Sequence, residues 1–379
     1  MELAYISDNR IFTYRNGRTE EIPCGRLDKY KEALADIRRR TEWKTTGSGA
    51  KFMGTDRPSD DDESIRADIT GIASYEGRLV YGIRLDESGS IYIRSLDRTD
   101  NDESLVISGK ELFPGRMCCR GNRLAVSCGE NYMEKHISLY ELPSSVCREF
   151  TDGDSIEECP SFDGDDRLYF STAGYARNES GHVTAVQHKS IAVLDTVRCS
   201  MEEVLSDERY DHLRPVPDGR GGIYCIRQTA GGVKNEDNGI FKDIIMFPFR
   251  MIKALGGMLN LFSMAFGGEA LKSGGNARAK EKDQRQIVID GNIINAERNL
   301  KDAESRGEKY PGIMPRDRVL LHVSAEGEEK VISCGVLDYL ILSDGVIAVS
   351  NGRHIIIRNS SGEQTAAFKA DRAVSLIEI

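Results

Sequence analysis

The sequence contains few of the residues and motifs that mark a catalytic or metal-binding site. It has one tryptophan and only six histidines, none of them at zinc-site spacing from a cysteine. It has no GxSxG nucleophile elbow and no Cys–His signature. The segment TTGSGAKF, residues 45–52, lacks the spacing of a phosphate-binding loop, and the acidic turns at 60–63 and 163–166 lack a calcium-loop register. We therefore predict no metal and no cofactor, and the motifs do not favour an enzyme.

An excess of positive charge is also missing. The 51 lysines and arginines are outnumbered by 61 acidic residues, so the formal net charge is −10. This balance argues against nucleic-acid binding, because phosphate contacts need a basic surface. The N-terminal residues MELAYISDNR show no basic stretch followed by an apolar one, so we expect no signal peptide. The nine cysteines are an odd number and most lie in strand-like runs, as reduced buried thiols do, which predicts a cytoplasmic location.

One pattern is present five times. An extended stretch is followed by a tight turn that contains glycine and then by an apolar strand, and the turn glycines are Gly77, Gly121, Gly164, Gly219 and Gly345. Glycine supplies the positive φ that hairpin turns need. The first four glycines are 44, 43 and 55 residues apart, which fits one four-stranded unit each. The last two are 126 residues apart, so the fifth unit must contain a large insertion.

Third and fourth strands follow the turns in a constant order. Examples are SIYIRSLD followed by ESLVIS, and HISLYEL followed by VCREF. Repeated four-stranded units of about forty residues predict an all-β fold, a six-bladed β-propeller. A two-sheet sandwich is the alternative, but it would not normally repeat the same turn chemistry five times. A seventh blade would require strands within GSGAKFMG, residues 47–54.

The two ends of the chain predict how the ring closes. Residues 3–23 align with residues 347–368 and therefore correspond to the second, third and fourth strands of a blade that lacks its first strand. Residues 373–379, AVSLIEI, form a spare strand after the last blade. Pairing of the two ends would complete one blade and remove the open edge of the ring.

Two segments carry a family resemblance. PSFDGDDRLYFS, residues 160–171, and its weaker echo PVPDGRGGIY, residues 215–224, resemble the TolB-type and WD40-like β-propeller repeat. The resemblance covers most of the chain and implies the propeller architecture. It implies little about function, because such propellers serve many unrelated roles. The chain departs from TolB proper in showing neither the periplasmic signal nor the usual N-terminal domain, and it matches no characterised member.

The long segments between strands are expected on one side of the ring. Strands within a blade alternate in direction, so connections from second to third strands and from fourth strands to the next blade emerge on the same side, here called the decorated face. The segments assigned to it are an amphipathic helix in 26–43, residues 173–189 and the insertion of residues 229–316. We expect this insertion, in the fifth blade, to be mostly helical, and the propeller to comprise residues 1–228 and 317–379.

The insertion contains the least polar stretch of the chain, residues 241–271, with five phenylalanines and four methionines. Its uncharged run, residues 254–268, is shorter than the roughly twenty residues that span a membrane. Three interpretations stay open: a cap on the propeller mouth, a surface for a protein partner, or an in-plane membrane anchor. The residues predicted to contact a partner are Phe247, Phe249, Met251, Leu255, Met258, Leu261, Phe262, Met264 and Phe266.

We predict a non-catalytic propeller scaffold that binds a protein partner through the decorated face and the Phe/Met-rich insertion. One alternative is a hydrolase or lyase with a site in the central channel, and another is a protein held at a membrane surface by the insertion. A channel site would combine residues of several blades and leave no local motif. The channel-lining candidates, chosen from their positions near the ends of inner strands, are Tyr75, Arg120, Asp163 and Arg214. The sequence does not indicate a small-molecule ligand.

Overall fold

The computed structural model describes residues 1–45, 67–85, 88–96, 102–110, 112–129, 134–177, 183–230, 286–290, 292–342 and 344–379. Their strands form six antiparallel blades of four strands each, with one additional strand in blade 4, and a separate two-stranded hairpin. The first strands of the blades are neighbours around a common axis, and we call them the inner strands. The predicted six-bladed β-propeller is confirmed.

Each blade runs outwards from its inner strand. Blade 1 contains β27 (Val374–Glu378), β1 (Glu2–Ser7), β2 (Arg10–Arg15) and β3 (Arg18–Ile22). Blade 2 contains β4 (Ala67–Tyr75), β5 (Arg78–Leu85), β6 (Ser88–Ser95) and β7 (Ser104–Lys110). Blade 3 contains β8 (Phe113–Arg120), β9 (Arg123–Gly129), β10 (His136–Glu141) and β11 (Val146–Glu149).

The second half of the ring has the same order. Blade 4 contains β12 (Ser155–Asp163), β13 (Arg167–Arg177), β15 (Ser190–Asp195) and β16 (Ser200–Leu205), with β14 (Val183–Val186) paired to β13. Blade 5 contains β17 (Tyr210–Pro217), β18 (Ile223–Thr229), β21 (Val319–Val323) and β22 (Glu329–Cys334). Blade 6 contains β23 (Asp338–Ile341), β24 (Ile347–Ser350), β25 (His354–Arg358) and β26 (Gln364–Lys369).

The ring closes through the two chain ends, as the sequence predicts. Strand β27 pairs antiparallel with β1, with Leu3 opposite Glu378 and Ala4 opposite Ile377. Blade 1 therefore draws its inner strand from one end of the chain and its three outer strands from the other. This pairing leaves no unpaired inner edge on β1, where another chain could add a strand.

The hydrophobic core consists of one cluster at each of the six junctions between neighbouring blades. Strand β5 illustrates how one strand serves two junctions. Leu79, Tyr81 and Ile83 are buried against blade 1, whereas Val80, which points the other way, is buried against blade 3. Because side chains alternate along a strand, a blade packed on both sides needs apolar residues at consecutive positions.

The five turn glycines have the conformation that the repeat predicts. Their φ angles lie between 57° at Gly121 and 78° at Gly345, in the left-handed region that glycine enters without steric cost. Each precedes the second strand of its blade, so the repeated turn sets the strand direction and register in five of the six blades. The glycines in these turns thus help to determine how the strands of the ring pair.

A helix is present in the predicted region as α1 (Gly25–Thr45), between β3 and β4. Leu27 is buried in the junction of blades 1 and 2. The first turn of the helix is fixed by Glu103 of blade 2, whose carboxylate accepts hydrogen bonds at 3.1 Å from the backbone nitrogens of Gly25 and Arg26. A carboxylate satisfies the free N–H groups at a helix start and opposes the positive end of its dipole.

The described part of the insertion contains a hairpin, β19 (Gln286–Ile289) and β20 (Asn292–Asn295), followed by helix α2 (Ala296–Ser305). Helix α2 begins after Asn295, which caps it by accepting a hydrogen bond from Arg298 N at 2.9 Å. Ile294 packs with Met314 and Leu337, which fixes the hairpin to blade 6. Residues 241–271 lie outside the described residues, so their helical character and the proposed domain division stay predictions.

Candidate functional site

Irregularities in the inner strands place polar side chains near the axis. Strands β8, β12, β17 and β27 each contain a bulge in which two residues face one residue of the next strand. Cys159, Arg214 and Ser375 occupy these bulges with φ of 57°, 56° and 53°, angles that non-glycine residues rarely adopt. A bulge changes the direction of its side chains and is frequent beside functional sites.

Asp338, the first residue of β23, joins the inner strands of four blades. Its Oδ2 accepts hydrogen bonds from Arg116 Nη2 at 2.7 Å and from Ser375 N at 2.5 Å. Its Oδ1 accepts a hydrogen bond from Tyr339 N at 2.9 Å and lies 3.3 Å from Arg214 Nη1. Burial alone would raise the pKa of this carboxyl, but the two arginines outweigh burial and hold the pKa below its usual range.

Asp290, which follows β19 at the tip of the hairpin, is held by two arginines of blade 5. Its two carboxylate oxygens lie 3.2 and 3.1 Å from Arg214 Nη2, and its Oδ2 lies 2.6 Å from Arg318 Nη2. Arg318 is almost fully buried and also donates to Val336 O at 2.6 Å and to the side chain of Gln228. The tip of the insertion hairpin is thereby fixed at the decorated end of the inner strands.

Glu158 of β12 is held between two lysines. Lys135, just before β10, lies 2.7 Å from Oε1, and Lys189, just before β15, lies 2.6 Å from Oε2. Burial opposes ionisation of Glu158, but both lysines outweigh it and lower the pKa of the carboxyl. Burial likewise opposes the charge on Lys189, but Glu158 and Asp290 outweigh it and raise the pKa of the ammonium group.

These side chains form two ion-pair networks that interact electrostatically through Lys189 and Asp290. Together they have a surplus of positive charge, and we call them the mouth cluster. Its members are Arg116, Lys135, Glu158, Lys189, Arg214, Asp290, Arg318 and Asp338. Five cations and three carboxylates give a formal charge of +2, in a chain whose net charge is −10. The side chains of Arg116, Lys135 and Lys189 are 23%, 20% and 17% exposed, so solvent reaches the cluster. A partly exposed cationic concentration of this kind attracts anionic groups.

Of the four predicted channel residues, only Arg214 belongs to the mouth cluster. The other three lie at the opposite ends of their inner strands. Tyr75 is buried in the junction of blades 2 and 3, where Arg78 stacks 4.9 Å from its ring. Arg120 Nε lies 3.4 Å from Asp165 Oδ1. Asp163 Oδ2 is likewise 3.4 Å from Arg167 Nη1.

Sequence reasoning did not include the other seven members of the cluster. They come from separate blades and from the insertion, and no spacing along the chain connects them. The two motif segments did contain one local signal for the bulges. They begin at Pro160 and Pro215, and each of these prolines is the second residue of a bulge, after Cys159 and Arg214 respectively. The nine predicted partner-contacting residues lie outside the described residues.

Two further features of the described residues bear on ligands. A pocket of about 390 Å³ lies away from the mouth cluster, between the outer parts of blades 3 and 4, and is lined by Arg148, Phe150, Thr196 and Val197 among others. No group of three or more His, Cys, Asp or Glu side chains in the described ranges is arranged to hold a metal ion. No helix there has both the length and the apolar character needed to cross a bilayer.

Comparison with known proteins supplies structural likenesses only. No family model matches the chain, and no curated protein does. TolB from Acinetobacter baumannii is similar with a TM-score of 0.48 at 8% identity, over 99% of this chain and 65% of TolB. A prolyl endopeptidase structure has a TM-score of 0.41 at 11% identity, over 97% of this chain and 52% of that one. A Mycobacterium tuberculosis puromycin-hydrolyzing peptidase has a TM-score of 0.34 at 12% identity, over 59% of this chain and 33% of that one.

The chain spans less than two thirds of the length of each of these structures. The likeness therefore concerns architecture, and the strand topology described above establishes that architecture independently. By that topology this chain folds as a six-bladed β-propeller, closed by its two ends, with an insertion in the fifth blade.

Proposed function

We propose that this protein is a non-catalytic β-propeller scaffold that binds a protein partner through its decorated face. The observation that carries the proposal is the attachment of the insertion hairpin to the ring, through Asp290 on Arg214 and Arg318. The other end of the insertion is also held on this face, since Ala230 N donates to Arg209 O at 3.0 Å. A long excursion fixed at both ends on a rigid scaffold is a common location for recognition.

The electrostatics of the mouth cluster also support binding rather than catalysis. A general acid or base works best when its pKa is near the working pH. The pKa values of Glu158, Asp290 and Asp338 are all lowered by neighbouring cations, so these carboxylates stay ionised at neutral pH. Burial raises the pKa of the Cys159 thiol, which disfavours the thiolate that a nucleophile needs. The alternative hydrolase or lyase would have to use other groups.

Residues 241–271 lie between the two attachment points of the insertion in sequence, and we propose that they supply much of the partner contact. Phenylalanine offers large apolar surfaces that anchor interfaces, and methionine adapts to irregular ones. A cytoplasmic location, proposed from the reduced cysteines, suits a protein that acts by binding other proteins.

The test compares two matched double variants of residues 241–271. Phe247→Ala with Phe262→Ala removes two apolar side chains, whereas Asn260→Ala with Ser263→Ala removes two polar side chains of the same segment. The tagged wild-type chain is used to capture a partner, which is purified, and the affinity of this partner for the wild-type chain and for each variant is then measured. We expect the phenylalanine variant to weaken the partner's affinity at least tenfold and the polar variant to change it less than threefold.

Equal partner binding by both variants would refute the proposal. The same proteins are also sedimented with vesicles of phosphatidylcholine and phosphatidylserine. Salt-sensitive sedimentation that depends on Phe247 and Phe262, in the absence of a protein partner, would instead support the membrane-anchor interpretation.

A further inference from the structure

The contact between Asp290 and blade 5 has the form of a ligand bound to a receptor. Arg214 contacts both oxygens of the Asp290 carboxylate, and Arg318 approaches Oδ2 from a second direction at 2.6 Å. Arginine forms charge-assisted hydrogen bonds of this kind when it recognises carboxylates. The two arginines belong to the ring and Asp290 belongs to the inserted hairpin.

The two arginines are positioned by ring residues as well as by the hairpin. Arg318 donates to Val336 O at 2.6 Å and to Leu337 O at 3.3 Å. Arg214 also donates to Leu337 O, and its Nη1 lies 3.3 Å from Asp338 Oδ1. Both side chains are at least nine-tenths buried. The carboxylate site is therefore preorganised, which lowers the entropic cost of binding an incoming group.

The hairpin that occupies this site is attached to the ring by side-chain contacts and not by strand pairing. Strands β19 and β20 have four residues each and, among the described residues, pair only with each other. An isolated two-stranded hairpin is marginally stable in water, so its retention depends on the ion pairs of Asp290 and on the packing of Ile287, Ile289 and Ile294. A competitor that offers the same carboxylate can replace the ion pairs, which leaves only the apolar packing to hold the hairpin.

Withdrawal of the hairpin would leave a more cationic surface. Without Asp290 the mouth cluster has five cations and two carboxylates, a formal charge of +3. Lys189 and Arg116 also lower the pKa of Asp290, after the larger contributions of Arg214 and Arg318, so four cations act on the position that its carboxylate occupies. An acidic group that reaches this position is stabilised by the same four side chains.

We propose that the mouth cluster is a binding site for an acidic peptide segment and that the chain's own Asp290 hairpin occupies this site in cis. An aspartate or glutamate of the partner displaces the hairpin and pairs with Arg214 and Arg318. The inference rests on the proposed function for the claim that the ligand belongs to a protein. Its chemistry, a carboxylate bound by two arginines, comes from the contacts of Asp290.

A synthetic peptide of the hairpin sequence, QIVIDGNIIN, is the probe, and QIVINGNIIN, in which asparagine replaces the aspartate, is its matched control. Each labelled peptide is titrated by fluorescence anisotropy with the full chain and with its Asp290→Asn variant, in which the internal competitor is weakened. We expect the variant to bind the aspartate peptide at least tenfold more tightly than it binds the control peptide. We also expect the variant to bind the aspartate peptide at least fivefold more tightly than the wild-type chain binds it.

Equal affinity of the variant for the two peptides would overturn the proposal. Succinate is titrated in parallel. Tighter binding of succinate than of the aspartate peptide would show that the site prefers a small dicarboxylate to a peptide, and this result would also overturn the proposal. Asp290→Asn removes the carboxylate partner of buried Arg318 and one of the two carboxylate partners of Arg214, which destabilises the fold. A second measurement therefore uses the wild-type chain.

Hydrogen exchange of the wild-type chain follows the backbone amides of residues 286–295. Saturating aspartate peptide should accelerate their exchange at least tenfold by displacing the hairpin, whereas the control peptide should not. Unchanged protection in the presence of bound aspartate peptide would contradict displacement. Neither measurement uses a captured partner or depends on residues 241–271, so failure here is distinguishable from failure of the proposed function.

Discussion

Arg116 and Asp338 form an ion pair across the axis of the propeller, with 2.7 Å between Nη2 and Oδ2. They belong to the inner strands of blades 3 and 6, which are opposite each other in a ring of six. The same carboxylate also contacts Arg214 of blade 5 and the backbone of Ser375 in the closing strand. One buried side chain thus links blades that are far apart in sequence, and its several partners offset the cost of taking its charge out of water.

Replacing this carboxylate by an amide of the same size should strongly destabilise the ring. In Asp338→Asn, Arg116 and Arg214 lose a buried counter-charge, and removing one partner of a buried ion pair costs about 3–5 kcal/mol. The control is Asp371→Asn, because Asp371 is 47% exposed in its pair with Lys369 and such pairs contribute at most about 1 kcal/mol. Urea unfolding measures both, and similar losses for the two variants would contradict the linking role of Asp338.

Ser375 provides a matched pair of substitutions at the closing strand. Its φ of 53° is one that glycine adopts freely and proline cannot adopt, and its N–H donates to Asp338. We expect Ser375→Gly to change the free energy of unfolding by less than about 1 kcal/mol and Ser375→Pro to lower it by about 3 kcal/mol or more. Thermal and urea unfolding compare them, and equal stability would show that the bulge does not fix ring closure.

Most of the ring follows from local sequence signals. Gly77 and Gly345 are predictable as turn residues because only a few residue types tolerate their positive φ. The spare C-terminal strand is predictable because residues 3–23 repeat residues 347–368 without a first strand. In both cases the pattern lies in contiguous residues and recurs along the chain, so each blade that is recognised supports the assignment of the next blade.

The mouth cluster could not be predicted in this way, because its charges converge only after the ring has closed. Arg116 and Asp338 are 222 positions apart and carry no motif. The hairpin was predictable in principle, since IVIDGNII has the Asp-Gly signal between alternating apolar residues. The insertion as a whole is nevertheless predicted to be mostly helical, so this short signal does not by itself identify the hairpin.

Gly71 provides a test of how closely the inner strands approach each other. A Cβ added there would lie 2.4 Å from Gly115 O and 3.1 Å from the Cα of Arg116, both backbone atoms of blade 3. We expect Gly71→Ala to cost about 2 kcal/mol or more, because neither strand can move without disturbing the ring. In Gly109→Ala, the control, the nearest atom to the new Cβ is 3.4 Å away. Urea unfolding should show less than about 0.5 kcal/mol loss for the control; equal losses would argue against tight contact at Gly71.

The nine free cysteines should separate into two reactivity classes. Cys147, Cys199 and Cys334 are exposed, whereas the other six are partly or fully buried. Burial raises the pKa of Cys119 and Cys225 to about 12, so their thiolates are scarce at pH 8. A disulfide reagent at pH 8 should therefore modify three thiols rapidly in the native protein and all nine in denaturant.

The control for this count is the triple variant in which serine replaces Cys147, Cys199 and Cys334, which should lose the rapid phase. Within that phase Cys147 should react most slowly, because burial raises its pKa. More than three rapidly reacting thiols would show that a blade junction opens on the timescale of the reaction.

The carboxylates of the mouth cluster predict that acid destabilises the fold. Neighbouring cations hold the pKa values of Glu158, Asp290 and Asp338 below those of the unfolded chain, which are near 4. Below about pH 4 the unfolded chain therefore binds more protons than the folded one, and the free energy of unfolding falls as the pH decreases. Urea unfolding between pH 7 and pH 3 should show this loss, and Asp338→Asn should show a smaller one because one of the three carboxylates is absent. An equal acid dependence in the variant would mean that Asp338 does not contribute to it, and the ion pair across the axis would then add no stability through its charge.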